Sequence, residues 1–350
     1  MMKKAHQSVP TMQTIASRLG VSRMTVSFAL NGNGRLSDEM RQKVLDVARE
    51  LDFKPNQDAQ RLKGQRPDTV NLFVLWLEPG VGSSKIRCIQ DLFKMRGRDV
   101  PVHCAGLRNS ANQANQVEVL AALRRDKPHA LIAATGGLHV GAIEELQRYQ
   151  AEGGLLVAYD HPANLDCDHV LFDREENTYQ ATRHLLELGH RDIGIGFHYN
   201  LRAGDPRYQG YRRALGEFNI EPRAQWGLEG LQAEDYTVAG VTMAQKFLAL
   251  AQRPTAMAII NDYAAMAFLS ELRKAGVECP RDLSLVGHDD HPLSRHNYVP
   301  LSTVTHPTQQ IAESVAEYLL SRLDGYDGPP RTVTLQGQLV QRESATLNSR

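Results

Sequence analysis

Residues 14–32 read TIASRLGVSRMTVSFALNG, and this stretch decides the fold of the N-terminal part of the chain. Residues 12–19 place Ile15, Ala16 and Leu19 on one face, which predicts a short helix. Gly20 ends that helix, because a tight turn needs a residue that tolerates a positive φ. Ser22 is a suitable N-cap for a second helix over residues 23–30. The spacing is typical of a helix-turn-helix unit, although a purely structural helical hairpin would share it.

A third helix is predicted after Ser37, a residue type that caps helix N-termini well. Its buried stripe is predicted to be Val44, Leu45, Ala48 and Leu51, with Phe53 closing a small core. Pro55 stops the helix, and Asn56 can cap a short segment over residues 57–63. Seven residues cannot hold a helix alone in water, so this segment is expected to fold only against a partner.

The charge of the chain is divided unevenly, although its formal net charge is zero. Residues 1–66 hold 12 Lys and Arg against 6 Asp and Glu, whereas residues 67–350 hold 28 against 34. A basic head on a mildly acidic body suggests that only the head meets a polyanion, although ordinary surface variation would give the same balance.

Composition indicates a folded cytoplasmic protein of two or three domains. Hydrophobic residues make up 42% of the 350 residues and charged residues 23%, so the chain can bury a core. The apolar runs are too short to span a membrane, and no secretory signal follows the two N-terminal lysines. The four cysteines are widely separated, which fits a reducing compartment.

The run from residue 14 to residue 64 resembles the head of the LacI/GalR family of repressors. The resemblance implies that Arg23, Met24 and Phe28 face base edges in the major groove of DNA. It further implies that Leu62 is the minor-groove wedge of a hinge helix that orders on DNA. The other DNA-contacting positions carried over from the family are Thr11, Ser22, Thr25, Ser27, Asn31, Asn56 and Gln60.

Two positions depart from the family pattern. Position 28 is usually arginine or histidine in the family and is phenylalanine here, and Met24 replaces a more common polar residue. Both side chains can contact a thymine methyl group, but neither can read guanine. The preferred operator is therefore expected to differ from those of well-known members.

Residues 68–344 alternate strand-like apolar runs with amphipathic helical patterns, which predicts an α/β body. Its length favours two lobes over one. Segments such as RYQGYRRAL (residues 207–215) and RDLSLVGHDD (residues 281–290) resemble the family's body, which has the fold of type I periplasmic sugar-binding proteins. Residues 77–128 resemble it least.

The predicted fold is therefore an all-α helix-turn-helix head and a body of two doubly wound parallel-sheet lobes. The predicted boundaries are 1–55 for the head, 56–67 for the hinge and linker, and 68–344 for the body. The first lobe is expected to span about 68–162 and 306–323, and the second about 163–303 and 328–344.

The resemblance also implies a ligand site between the lobes, at the carboxyl ends of the strands. The residues carried over are Asp160, Arg207, Asn261, Asp289 and His306, the last at a position where the family often has glutamine. Near Gln232, where some members stack an aromatic ring on the ligand, the sequence suggests none. A guanidinium, an amide and two carboxylates suit a polyhydroxylated effector, such as a sugar or polyol.

Two alternatives for this set stay open. Arg207 and Asp289 could pair with each other across the lobes. Asn261 could be a turn residue, with Asp262 capping the following helix.

Neither acidic, histidine-containing cluster has a recognised metal-ligand spacing, so we expect no metal and no cofactor. The two clusters are residues 166–169 and 288–291. No complete nucleotide loop, G-x-S-x-G or H-E-x-x-H motif occurs, so we expect no enzymatic activity.

The sequence therefore predicts a transcriptional regulator, expected to act as a repressor, that binds double-stranded operator DNA. With no heptad tail after LVQR (residues 339–342), a homodimer reading a pseudo-palindrome is expected. A transporter's solute-binding protein and a sugar-metabolising enzyme are the competing functions. The first would lack an export signal and the second a catalytic set.

Overall fold

The computed structural model describes residues 10–31, 36–51, 53, 69–77, 80–106, 111–199, 203–230 and 235–348. The chain forms two compact units, residues 1–67 and residues 68–350. The predicted hinge positions Asn56, Gln60 and Leu62 lie outside the described residues.

The described residues of the first unit form three helices. The hydroxyl of Thr11 accepts the backbone N–H of Thr14, and the Thr14 hydroxyl accepts that of Thr11, a reciprocal cap that satisfies two donors. Gly20 ends the first helix with a φ of 67°. Ser37 caps the third helix by accepting the N–H of Met40 at 3.3 Å. The helices are α1 (Met12–Leu19), α2 (Arg23–Asn31) and α3 (Asp38–Glu50).

A small apolar core joins these helices and confirms the predicted helical head. Its buried members are Ile15, Ala16, Val26, Ala29, Val44 and Ala48. Ala16 is only 1% exposed, so a larger side chain there would force α1 and α2 apart.

Over its described residues, the second unit contains two six-stranded sheets. In the first sheet the order is β11-β5-β4-β3-β1-β2, and every neighbouring pair is parallel. The second sheet follows the same plan, β12-β10-β9-β8-β6-β7, with the β10–β12 pair alone antiparallel. The strands are β1 (Val70–Val74), β2 (Val102–Cys104), β3 (Ala130–Ala134), β4 (Leu155–Asp160), β5 (Asp168–Phe172), β6 (Ile193–Phe197), β7 (Gly227–Glu229), β8 (Ala256–Ile260), β9 (Ser284–Asp289), β10 (Ser302–Thr305), β11 (Thr332–Leu335) and β12 (Leu339–Val340).

Helices cover both faces of each sheet, which confirms the two doubly wound lobes. Apolar side chains of α4 and α11 pack on one face of the first sheet, and those of α5 and α6 on the other. In the second sheet, α7 and α8 pack on one face, and α9 and α10 pack on the other. The helices are α4 (Val81–Lys94), α5 (Ala111–Asp126), α6 (Val140–Ala151), α7 (Arg174–Glu187), α8 (Pro206–Glu217), α9 (Tyr236–Ala249), α10 (Asp262–Lys274) and α11 (Thr308–Leu323). In the described part of the chain, no helix is both long and apolar enough to cross a membrane.

The lobe boundaries predicted from the sequence need correction. Strands β5 and β11 pair with each other in the first sheet, although residues 163–303 and 328–344 were assigned to the second lobe. The reason is that β5 reads DHVLF, and an aspartate and a histidine interrupt the apolar run that would have marked a strand. Arg322 and Arg331 bind the buried Asp168 carboxylate, which lets that strand enter the sheet.

The chain crosses between the lobes three times, after β5, after β10 and after β11. Asn177, which is 2% exposed, ties two of these crossings to the start of α7. Its amide donates to the Thr305 carbonyl at 3.1 Å and accepts the N–H of Gly337 at 2.9 Å. These bonds connect the strands about which the lobes would turn.

Candidate ligand cleft and nucleic-acid interface

Two aspartates occupy equivalent positions in the two lobes. Asp160 ends β4 and Asp289 ends β9, and these strands hold the same place in their respective sheets. Both residues have a positive φ, 89° for Asp160 and 107° for Asp289, which non-glycine residues seldom adopt. Such backbone strain is typical of functional sites.

Lys85 on α4 binds the first of these carboxylates. Its Nζ lies 2.5 Å from Oδ1 of Asp160, and Lys85 is 5% exposed. Burial by itself would raise the pKa of Asp160, but the positive charges of Lys85 and Arg174 outweigh it and lower that pKa. Asp160 is therefore ionised and already has a partner in its own lobe. Lys85 was not predicted from the sequence, because it lies in the segment least like the family.

Arg207 lies in the first turn of α8, and its Nη1 donates to the Tyr199 hydroxyl at 3.1 Å. Burial acts to lower the pKa of Arg207, but Tyr199 and Asp205 outweigh it, and the pKa is raised. Arg207 and Asp289 both belong to the second lobe, so a pair between them across the lobes does not occur. Among the described residues, Arg207 forms no ion pair, which leaves much of its guanidinium available.

Asn261, Asp289 and His306 lie together at the ends of β8, β9 and β10. Asn261 caps α10 by accepting the N–H of Ala264 at 3.4 Å, and its side chain acts to lower the pKa of Asp289. Nδ1 of His306 lies 4.0 Å from Oδ1 of Asp289. Burial raises the pKa of Asp289 to about 6, against the opposing charges of Arg207 and Lys85. Burial and the charge of Lys85 hold the pKa of His306 well below its ordinary value, so this imidazole is neutral.

The sequence left open that Asn261 is a turn residue and that Asp262 caps the following helix, but the structure shows a different arrangement. Asn261 itself is the cap, so Asp262 does not serve as one. The Asp262 carboxylate is buried and accepts the Thr303 hydroxyl at 2.8 Å and the N–H of His291 at 2.8 Å.

Two adjoining cavities open on these residues, and Gly82 lines both. One, of about 370 Å³, is lined by residues of the first lobe, including Lys85, Tyr159 and Asp160. The other, of about 270 Å³, has Gly80 and Val81 on one side and Asn261 and Asp289 on the other. Residues of both lobes therefore face the second cavity. The half-buried Arg207 and the His306 side chain lie near these residues and influence their pKa values.

Aromatic side chains also line the second cavity, which corrects the expectation of none near Gln232. Tyr236, at the start of α9, and Tyr263 face it, with ring centroids 6.5 Å apart and planes 12° from parallel. The Tyr263 hydroxyl lies 2.8 Å from Nε2 of His291. Tyr236 stands four positions beyond Gln232, so the sequence position alone did not identify it as a cleft residue.

The two clusters considered for metal binding direct their side chains to different partners. Asp168 binds Arg322 and Arg331, whereas Nδ1 of His169 contacts the Cys167 carbonyl at 2.8 Å. In the second cluster, His288 contacts the Ile259 carbonyl, Asp290 binds Arg342, and His291 meets Tyr263. Among the described residues, no three or more His, Cys, Asp or Glu side chains come together in a group that could hold a metal ion.

Helix α2 of the head exposes the side chains assigned to base contacts. Met24 is 64% exposed and Phe28 is 39% exposed, one helical turn apart, while Val26 and Ala29 are buried in the head core. Arg23 beside them is also exposed. An apolar pair in water on a helix has no role in holding the head together, which favours contact with another molecule.

Hydroxyl groups stand at the N-termini of α1 and α2. Thr11 caps α1, and the Ser22 hydroxyl accepts the N–H of Thr25 at 3.0 Å at the start of α2. Helix N-termini favour anions such as phosphate groups. Ser27 is half-buried on α2, and Asn31 ends that helix.

Two family models match separate parts of the chain. Residues 11–56 match the model described as bacterial regulatory proteins, lacI family. Residues 182–345 match a periplasmic binding protein-like domain. The two matches fall on the helical head and on the body, respectively.

Full-length relatives cover both parts. A PurR transcriptional repressor of Mannheimia succiniciproducens is 28% identical over 346 residues, which are 95% of this chain and 98% of the relative. A ribose operon repressor of Haemophilus influenzae is 29% identical over 342 residues, with 95% and 98% covered.

Solved structures agree over nearly the whole chain. The transcriptional regulator CelR in complex with cellobiose is 26% identical, with a TM-score of 0.69, and the match covers 96% of this chain and 99% of CelR. The lac repressor dimer bound to operator and an anti-inducer shares the fold, with 24% identity, a TM-score of 0.75, and 96% and 99% covered. The head, the body and their order thus lead to one conclusion: the chain is a transcriptional regulator of the LacI family.

Proposed function

We propose that this regulator acts in the cytoplasm as a homodimeric repressor whose operator affinity is set by a small polar, sugar-like effector held between the lobes. The observation that carries this proposal is the cavity lined from both lobes, with Asn261 and Asp289 on one wall and Gly80 and Val81 on the other. A molecule in that cavity contacts both lobes at once, so it can favour one lobe angle over another.

The residues around the cavity suit a ligand that carries hydroxyl groups. The Asp160 and Asp289 carboxylates are acceptors, the Arg207 guanidinium is a donor, and the Asn261 amide is both. Tyrosine rings such as Tyr236 supply flat apolar surface of the kind that packs on the C–H face of a sugar ring. The names of relatives and neighbours are consistent with this class, since they include a ribose operon repressor and a regulator in complex with cellobiose.

Control of DNA binding then follows from the lobe angle. The effector shifts the balance between two lobe arrangements only by its difference in affinity for them, typically about 1–3 kcal/mol. In a dimer, that angle sets the spacing of the two segments that follow the heads, and hence whether both heads meet their half-sites. The lac repressor dimer bound to operator is one neighbour with such an assembly.

The direct test is selection of binding sites from random DNA with the full-length protein, followed by operator binding with and without candidate sugars. A pseudo-palindromic motif whose affinity changes when a sugar binds is expected. Binding that is equal on all sequences would contradict the proposal, because the phosphate backbone carries no sequence information.

Replacing Phe28 with arginine is expected to shift the selected motif toward guanine at one base pair in each half-site. Arginine makes a bidentate contact with guanine that phenylalanine cannot make, and such a contact discriminates by about 1–3 kcal/mol. The exposed position of Phe28 on α2 leaves room for the longer side chain. Selection from random DNA with both proteins measures the shift.

Met95→Arg is the matched control, since it adds the same charge at a position in the body that is 77% exposed. This substitution should at most slightly strengthen binding to DNA of any sequence, and it should leave the selected operator motif unchanged. An unchanged motif with Phe28→Arg would remove Phe28 from the base-reading set.

A further inference from the structure

We infer that the effector carries a negatively charged group, a carboxylate or a phosphate, and that Arg174 holds it together with Arg207. The inference rests on the proposed function and extends it from a polar effector to an anionic one, such as a sugar acid or a sugar phosphate. Arg174 was not among the residues carried over from the family.

Arg174 is the first residue of α7 and directly follows a crossing between the lobes. Its Nη1 donates to two backbone carbonyls, that of Asp160 at 2.8 Å and that of Phe172 at 3.3 Å. Its Nε is shielded from solvent and has no hydrogen-bond partner among the residues that the structure describes. A buried donor without a partner is costly, so the guanidinium offers an unmet donor beside the cleft.

Two arginines at the other end of β5 have a carboxylate partner. Arg322 and Arg331 both bind the Asp168 carboxylate, at 2.9 Å and 2.8 Å. Within the described residues, neither Arg174 nor Arg207 forms a comparable ion pair. The fold therefore neutralises the guanidinium groups around β5 and leaves the two beside the cleft with neutral partners.

The carboxylates that the structure describes near the cleft do not form ion pairs with Arg174 or Arg207. The Asp160 side chain binds Lys85 at 2.5 Å, so Arg174 reaches only its backbone oxygen. The Asn261 side chain acts to lower the pKa of Asp289, which faces His306. Burial and the charge of Arg207 lower the pKa of Arg174 to about 10, which shows that the two cations repel each other. An anion beside both would remove that repulsion.

A neighbouring histidine is suited to the rest of such a ligand. Nδ1 of His288 contacts the Ile259 carbonyl at 3.2 Å, and that contact requires the proton on Nδ1. Nε2 is then an acceptor, and it is buried without a hydrogen-bond partner in the described part of the chain. Burial and the charge of Arg207 lower the pKa of His288 to about 3, so the ring stays neutral. A ligand hydroxyl can donate to it, which favours a hydroxylated anion over a simple one.

The experiment compares matched compounds on the full-length protein at constant ionic strength, with the unfolding temperature and the dissociation constant as readouts. The neutral members are glucose, galactose, ribose and cellobiose. The anionic members are gluconate, galacturonate, ribose 5-phosphate, glucose 6-phosphate and cellobionate, with inorganic phosphate and sulfate as minimal anions. We expect at least one anionic member to stabilise the protein where its neutral counterpart does not. The carboxylate and phosphate arms identify which group is bound.

Arg174→Gln is expected to weaken binding of that anion by about 100-fold, since bidentate charge-assisted hydrogen bonds between the guanidinium and the anion are lost. Arg174→Lys, which keeps the charge, should restore part of the affinity. Arg191→Gln is the matched control, because Arg191 also donates to backbone carbonyls of the second lobe but is exposed. It should leave anion binding unchanged.

Three results would overturn the inference: neutral members that bind as well as anionic ones, an anion preference that survives in Arg174→Gln, or no stabilisation by any anion. If a neutral sugar alters operator binding, the proposed function stands while the anionic class falls. If an anion binds through Arg174 without any effect on operator affinity, the proposed regulation falls while the anion site stands.

Discussion

Replacing Arg207 with alanine is expected to abolish the response of operator binding to the effector. Its half-buried guanidinium lies near Asp289 and donates to the Tyr199 hydroxyl, which leaves its remaining donors for a ligand. Hydrogen bonds to a charged group contribute about 1.5–3 kcal/mol each to binding, so the loss of one or two of them lowers the affinity for the effector by about 100-fold. Operator affinity without effector should stay within about tenfold of the wild type, because the head is unchanged.

Operator affinity with and without saturating effector measures this for each variant. Arg212→Ala is the matched control, since Arg212 lies on the same helix, α8, and is exposed. It should keep the full response. A full response in Arg207→Ala would place the effector elsewhere and refute the cleft assignment.

Replacing Gly210 with alanine is expected to cause the largest loss of stability among single-methyl changes in α8. A Cβ at this position would overlap the carbonyl oxygen of Glu175 and lie 2.9 Å from the amide nitrogen of Tyr179. Both are backbone atoms of α7, so no side-chain rotation relieves the contact, and the helices must separate. Overpacking of this kind costs about 3 kcal/mol of unfolding free energy.

Gly216 in the same helix provides the control. A Cβ there meets no atom within 4 Å. Alanine exceeds glycine in helix propensity, so Gly216→Ala should stabilise the protein by up to about 1 kcal/mol. Urea denaturation of both variants measures the difference. Similar effects of the two substitutions would show that α7 and α8 do not pack as closely as described.

The architecture was predictable where hydrophobic patterns are strong. Runs such as Ala130–Ala134 and Ala256–Ile260 are fully buried in their sheets, and a continuous apolar stretch of five residues bounded by loops leaves few alternatives. The head was predictable because Ile15, Ala16 and Val26 must share one small core at fixed spacing.

The assignment of β5 failed because its burial depends on a partner that is distant in sequence. Asp168 is fully buried only because Arg322 and Arg331 supply opposite charge from more than 150 residues away. No local pattern reveals that pairing, so the lobe boundary was drawn too early.

Only part of the cleft could be predicted, because some of its residues also depend on partners that are distant in sequence. Asp160 and Asp289 follow apolar strands and could be identified by position, whereas Lys85 and Arg174 become relevant only through their approach to Asp160. Helical patterning describes Lys85 as a surface residue of α4, yet it is 5% exposed. A buried lysine is recognised from its carboxylate partner, which only the folded chain brings near.

The measurement that tests the central claim most directly is the affinity of the effector for the free protein and for the protein saturated with operator. If the cleft and the head are linked through one equilibrium of lobe arrangements, operator must change effector affinity by the same factor by which effector changes operator affinity. We expect the two factors, obtained by titration calorimetry and by operator binding, to agree, with a value of about 5–150. An effector affinity that operator leaves unchanged would show that the cleft does not control DNA binding.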